Sequence, residues 1–422
     1  MHKILFVTKS FYPHGNGTSD CVSNIIDILR SIDIECDILA LTTYRSDLKV
    51  NKWKDSNIHF SYIQGGNSVK ELMRMLSRGE FKDAIIGTSQ KIYSIVLNLI
   101  HRESRHLHLN YIYLRAYRRS LYCLSTENYD AIITTLLPIE ACCAVIESDL
   151  KCKKYIYQLD PYWNNQTFIS KYSSDRLSYE KRMIGMYDSI FTLPLLINSP
   201  INGDRYCSKY IELEFPMIKK IAAETDDKWR VRNTIACVFL GKLYPDIRPP
   251  DLLVEIISKL VYDDIEFYFY GSGLDTIVKS RYYSTAKEII TLGNQVSSSK
   301  AKEIMISADF LVNIDNRAEN QVPSKIFEYM STGLPILNFY FNKQSETSRY
   351  LSKYPLSISL KLDSVNLVQN ANSLVQYIHQ NLNKRVPFTT VQNMYHECTP
   401  EYVARKMISA IYSDELKGVA YV

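Results

Sequence analysis

The stretch from Glu319 to Ile336, ENQVPSKIFEYMSTGLPI, holds the residue types best suited to chemistry. Pro323 and Ser324 can open a helix whose first backbone N–H groups and dipole suit a phosphate, with Lys325 beside them. Glu328 lies one turn further in, where a carboxylate accepts hydrogen bonds from ribose hydroxyls. Gly333 stops the helix and Pro335 prevents its return before the next strand. A plain capped helix between two strands accounts for the same spacing. Upstream, Phe239-Leu240-Gly241-Lys242-Leu243-Tyr244 ends an apolar run, and Arg248 follows six residues after Lys242. These two cations are either an anion clamp or ordinary surface charges. Tyr270-Gly271-Ser272-Gly273-Leu274 closes another apolar run, where Gly-x-Gly first of all means a tight turn. Leu292-Gly293-Asn294-Gln295-Val296 closes a third, and Ser297 to Ser299 can cap the helix after it.

In the first half, Tyr12-Pro13-His14-Gly15-Asn16-Gly17-Thr18 separates a strand from a helix. The small residues around Gly15 let backbone N–H groups approach a ligand, and His14 reads as a solvated loop histidine. Asn16-Gly17-Thr18 matches a glycosylation sequon, but no secretion signal gives it that meaning. Gln158-Leu159-Asp160-Pro161-Tyr162-Trp163 ends a strand at the same edge, with Asp160 able to cap the turn before Pro161.

Alternating strands and helices must position these residues. Ile4-Leu5-Phe6-Val7 suits a buried parallel strand, Val22, Ile25, Ile26 and Leu29 recur at helical spacing, and 36–41 is a second strand. This βαβ unit predicts a doubly wound sheet, continued by strands at 130–134, 154–158 and 189–193. Residues 203–232 have weak periodicity and read as a connection. A second series follows at 236–240, 265–270, 288–292, 309–313 and 335–338, and Thr399-Pro400-Glu401 opens a last helix. The expected domains are 1–205, 206–395 and a terminal helix segment 396–422. Ligands are expected at the carboxyl ends of the strands, in the cleft between the two sheets.

Composition sets the outer bounds. The 422 residues are 46% hydrophobic and 23% charged, which excludes disorder, and 14 Gly with 14 Pro exclude collagen-like chains. The nine Cys show no C-x-x-C, so zinc ribbons and thioredoxin-type motifs are absent, and reduced thiols in a cytoplasmic chain are expected. No apolar run reaches the ~18–20 residues of a membrane span. The net charge of +5 is uneven. Residues 70–119 carry ten cations (Lys70, Arg74, Arg78, Lys82, Lys91, Arg102, Arg105, Arg115, Arg118 and Arg119) against four acids, Glu71, Glu80, Asp83 and Glu103, a balance of +6. Tyr111, Tyr113, Tyr117, Tyr122 and many aliphatic residues lie among them. This pattern fits an anionic bilayer surface, or a solvated helix face. No nucleic-acid reading motif accompanies it.

Pro-Ser-Lys-Ile-Phe-Glu-Tyr-Met-x-Thr-Gly-x-Pro-Ile resembles the donor-site signature of family 4 glycosyltransferases. The resemblance implies an α/β GT-B fold: two facing Rossmann-like, doubly wound domains, with a C-terminal helix packing back on the first. It implies that Glu328 binds the nucleotide ribose. Asn320 stands where the family has an acid beside the transferred sugar, with Glu319 before it, so either the loop shifts by one residue or an amide replaces the carboxylate. Lys242 and Arg248 resemble the family's Arg and Lys with the types exchanged. By that resemblance they clamp the donor diphosphate, on which charge builds as the glycosidic bond breaks. Gly271 and Gly273 resemble the turn lining the nucleotide cleft, Val296 the strand end framing the base, and the Gly15 loop the family's first loop. Asp160 stands where many members place a residue facing the acceptor hydroxyl, as orienting group or base. The implied activity is a retaining hexosyltransferase reaction from a nucleotide-sugar donor to a glycan or polyprenyl-linked acceptor, in cell-surface polysaccharide synthesis. Neither a cofactor nor an essential metal is implied, and the expected location is cytoplasmic or peripheral at the inner membrane face. An inactive GT-B scaffold subunit and a nucleotide-sugar epimerase are the alternatives.

Overall fold

The computed structural model describes residues 2–13, 15–63, 73, 76–77, 79, 81–100, 109–163, 165, 173–197, 208–222, 229–230, 234–260, 264–317, 322–342 and 345–413. The chain divides into two compact units, one of residues 1–216 with 400–422 and one of residues 217–399.

In the first unit, β1 (Lys3–Thr8), β2 (Glu35–Thr42), β3 (Lys52–Trp53), β4 (Ser56–Tyr62), β5 (Ala131–Thr135), β6 (Lys153–Gln158), β7 (Ser189–Thr192) and β8 (Tyr210–Glu212) form one sheet. Its order is β3-β4-β2-β1-β5-β6-β7-β8. The pairings are parallel except β3 with β4. The apolar runs explain this, because strands covered by helices on both faces are apolar throughout, and β1 and β5 are buried almost end to end. β8 lies within the expected connection. Its three residues, two half-buried and Glu212 exposed, carry too short a pattern to announce a strand, but Ile211 pairs with Phe191 of β7.

The helix Gly17–Ser31 opens on a capping box, in which Asn16 accepts from the Ser19 N–H at 3.0 Å. The terminal helix Pro400–Ile411 packs against it and belongs to the same unit. Lys406 donates to the Glu212 carbonyl at 2.8 Å, and Tyr412 to Asp130 at 3.0 Å. Pro at the first helical position fits because its missing N–H has no intrahelical partner there.

In the second unit, β9 (Ile235–Lys242), β10 (Ile265–Ser272), β11 (Ile290–Leu292), β12 (Phe310–Ile314), β13 (Ile336–Tyr340) and β14 (Ser357–Lys361) form an all-parallel sheet ordered β11-β10-β9-β12-β13-β14. Strand order reverses beside β1 in one sheet and beside β9 in the other. Ligands of open α/β sheets bind at such reversals, at the carboxyl edge. The loops after β1 and β9 carry Gly15 and the Lys242–Arg248 segment.

Candidate functional site

The site in the second unit begins with backbone. Gly271 stands opposite Gly241 in the β9–β10 register, with φ of 140°. A Cβ on Gly271 would sit 1.7 Å from the Gly241 carbonyl oxygen, and one on Gly273 (φ 77°) 2.2 Å from that of Leu243. The two glycines therefore permit a close approach of two strand ends, beyond making a turn. Beyond β9 the chain folds on itself. The Arg248 N–H donates to the Tyr244 carbonyl at 2.8 Å, which returns Arg248 to the end of the strand.

Lys242 is exposed, its ammonium 4.4 Å from the Tyr244 ring centre. Arg248 is largely sunk into the protein. Its Nη2 donates to Asn316 Oδ1 at 2.8 Å and its Nη1 to the Lys242 carbonyl at 3.4 Å, while its buried Nε has no partner. Burial lowers the Arg248 pKa from the usual guanidinium value, against the charge of Asp315. Asp315 is itself buried and committed: it accepts from Thr347 at 2.7 Å, from the Asn316 N–H at 2.9 Å and from the Ser345 hydroxyl. Burial pushes its carboxyl up. The carboxylate thus fixes the 315–316 turn that holds the guanidinium.

The helix Lys325–Thr332 buries Ile326, Phe327, Tyr329 and Met330. The Tyr329 hydroxyl accepts from the Leu240 N–H at 3.0 Å and pins the helix to β9. Ser324 precedes the helix and makes no side-chain cap, and Pro323 is buried beside it. Lys325 donates to both Glu328 oxygens, at 3.1 and 3.3 Å. Such a pair on a helix surface contributes only about 0.3–0.5 kcal/mol, so the Glu328 carboxylate is easily released to another donor. Gly333 closes the helix at φ 76°, where a Cβ would meet the Val386 carbonyl at 2.2 Å. Val296 is half-buried between β11 and the helix Ser298–Ser307. Lys242, Arg248, Gly271, Gly273, Pro323, Ser324, Lys325 and Glu328 therefore share one structural unit, and the pinning of the Lys325–Thr332 helix to β9 joins them. Asn320, Glu319 and His14 lie outside the described residues.

In the first unit, Gly15 is exposed after β1 and Asp160 is half-buried after β6. Sequence reasoning missed what holds the Asp160 loop. Buried Glu180, on the helix Ser173–Gly185, accepts from Gln158 Nε2 at 2.9 Å and from the Trp163 N–H at 2.8 Å, spanning the loop. Burial raises its carboxyl to about 7. It also missed Asn316, which holds Arg248, and the contact of Tyr244 with Lys242; a polar pair directly after the β12 apolar run was the available signal for Asn316.

The basic segment is divided. Tyr117, expected on the wet aromatic face, is instead core, and its hydroxyl donates to the Thr8 carbonyl at 2.7 Å. Arg118 pairs with Glu147 at 2.7 Å. Lys82, Arg115, Arg119 and Tyr122 are exposed. Lys70, Arg74, Arg78, Arg102 and Arg105 lie outside the described residues, as does the Lys91 side chain.

The two parallel sheets with their switch points define the GT-B fold. No protein-family model and no curated protein matches the chain. Among solved structures it is similar to TarM, with 11% identity and a TM-score of 0.65, covering 97% of this chain and 99% of that one. It is also similar to sucrose-phosphate synthase from Thermosynechococcus elongatus, with 10% identity, a TM-score of 0.64 and coverage of 99% and 100%. A UDP-N-acetylglucosamine 2-epimerase described as putative, from Listeria monocytogenes, matches at 11% identity and a TM-score of 0.55, over 98% and 96% of the two chains.

Proposed function

We propose that the chain is a glycosyltransferase that moves a sugar from a nucleotide-sugar donor to a glycan or polyprenyl-linked acceptor in polysaccharide synthesis, with retention of configuration. The observation that carries the reading is Arg248, returned to the end of β9 with a buried Nε that has no partner. Two of its five N–H donors are used, on Asn316 and on the Lys242 carbonyl, and a guanidinium so held offers the others to an oxyanion. Lys242 adds a second positive charge, and the uncapped start of the Lys325–Thr332 helix adds backbone donors. As the glycosidic bond breaks, negative charge gathers on the departing diphosphate, where these groups stabilise it. Glu328 exchanges Lys325 for the ribose hydroxyls, Val296 lies against the base, and Asp160 orients or deprotonates the acceptor. The likeness to TarM, one structure of which holds UDP and alpha-GlcNAc-glycerol, supports a nucleotide-sugar chemistry of this kind. No resident metal or cofactor is part of the proposal.

The epimerase likeness gives a second reading, in which no acceptor is used. Product analysis with nucleotide sugars separates them, because transfer lengthens an acceptor and epimerisation does not. Lys242→Ala and Glu328→Ala are expected to reduce both transfer and nucleotide binding. Full retention of both in each variant overturns the reading.

The acceptor side adds a membrane proposal. No described helix is long and apolar enough to cross a membrane. On the helix Phe81–Ile100, however, Phe81, Ile85, Ile92 and Val96 are exposed by 63, 68, 58 and 43%, and at 100° per residue they fall within about 60° of arc. Exposed Lys82, Arg115 and Arg119 belong to the same unit. This stripe would dock peripherally on an anionic inner membrane face. Co-sedimentation with anionic vesicles should be strong at low salt and weaker at high salt. No sedimentation at low salt removes the proposal.

A further inference from the structure

Arg176 stands in the first turn of the helix Ser173–Gly185 and is only 2% exposed. Its Nε and Nη1 are buried without a hydrogen-bond partner, and no ion pair reaches it among the described residues. Its charge acts on Glu180, one turn along the helix, but that carboxylate is already committed to Gln158 and to the Trp163 N–H. Gln158 in turn accepts from Thr192 at 2.7 Å, so the network closes without the arginine. The Trp163 indole Nε1 is also buried without a partner. A buried guanidinium without an anion is strongly unfavourable, and an unpaired buried donor adds to the cost. Both residues belong to the surroundings of Glu180, which accepts from the Trp163 N–H and feels the Arg176 charge, and Trp163 follows β6 three residues after Asp160, at the carboxyl edge where open α/β sheets bind ligands.

We propose that Arg176 and the Trp163 indole form a binding site for a phosphate-class oxyanion, the anionic group of the acceptor. The proposal rests on the transferase reading for the acceptor's role, but the anion site stands without it. Donors on two chain segments suit a tetrahedral group with several acceptor oxygens better than a single planar carboxylate, and a guanidinium suits it better than a lysine.

The chain has three tryptophans, Trp53, Trp163 and Trp229, so the full chain labelled with 5-fluorotryptophan gives three signals, and Trp163→Phe assigns one. Inorganic phosphate is expected to shift the Trp163 signal saturably and leave Trp53 in place. A nucleoside diphosphate is expected to shift Trp229, which packs edge-on against Tyr270 at 6.3 Å. Arg176→Met should lose the phosphate response and, in phosphate-free buffer, raise the unfolding temperature, which the loss of a merely structural arginine would lower. Arg176→Lys, which removes the guanidinium donors and keeps the charge, should weaken the response. A Trp163 signal unmoved by phosphate, or an unchanged response in either Arg176 variant, overturns the proposal. Failure of Trp229 to respond to any nucleotide counts against the transferase reading alone.

Discussion

At the carboxyl end of β9 one cation is exposed and the other inset: Lys242 lies open to solvent, Arg248 is half-buried with an unused donor, and Asp315 is buried and hydrogen-bonded beside it. At the carboxyl ends of β5 and β6 in the first unit, the acids are interior. Glu140 and Glu180 are 4% and 0% exposed, and burial pushes both carboxyls up to about 7. Each sheet reverses its strand order beside its first strand, but the two edges suit different ligands. An edge proposed to receive a diphosphate needs unfilled donors and little backbone bulk. An edge that orders a loop around Asp160 uses a carboxyl as an acceptor and keeps its charge low by burial.

The largest difference should appear on adding one methyl group at each edge. Gly271→Ala forces a Cβ against backbone at positive φ and should cost on the order of 3–5 kcal/mol. A Cβ on Gly15 meets only the Ser19 side chain, so Gly15→Ala should cost about 1 kcal/mol, through the capping box. Denaturant unfolding of the two variants measures both, and equal losses would remove the contrast.

Next in size is pH dependence. Glu140 and Glu180 have folded-state values raised from 4.5 to about 7, so the folded first unit binds protons that the unfolded chain releases. Stability is therefore fully present below pH 4.5 and falls as pH rises toward about 7, by on the order of 2–3 kcal/mol for each group. Asp37 does not oppose this. Although burial pushes it up, hydrogen bonds from His59, Lys3, Tyr129 and Asn57 hold it well below the usual carboxylate range, so its contribution is constant across that window. The paired change Glu140→Gln and Glu180→Gln should flatten the slope, and an unchanged slope would show that other groups cause it.

A smaller effect is expected at Glu328. Its alanine variant should bind ribonucleoside diphosphates about tenfold more weakly and discriminate less against the dideoxyribose analogue. Unchanged discrimination would mean that Glu328 serves only Lys325.

What the sequence made legible follows the range of each signal. Ile4–Val7 and Ala236–Leu240 announce their strands because both faces are buried, and Gly333 with Pro335 marks a helix end from local stereochemistry. Lys242 and Arg248 are readable as a pair because one short loop joins them. Arg176 and Glu180 are not, since only tertiary burial gives them meaning and their spacing is that of any surface helix pair. β4, β8 and β14 were missed because their burial alternates or their length is short. Tyr117 was misread because a tyrosine in a basic segment looks the same whether its hydroxyl meets water or the Thr8 carbonyl.

The central claim is that the β9 edge binds a nucleoside diphosphate through Arg248. Calorimetric titration of the full chain with UDP, GDP and ADP, repeated with Arg248→Ala, tests it directly. The account predicts saturable binding of one of them, weakened about a hundredfold by the substitution. No binding of any of the three, or equal binding by Arg248→Ala, would contradict it.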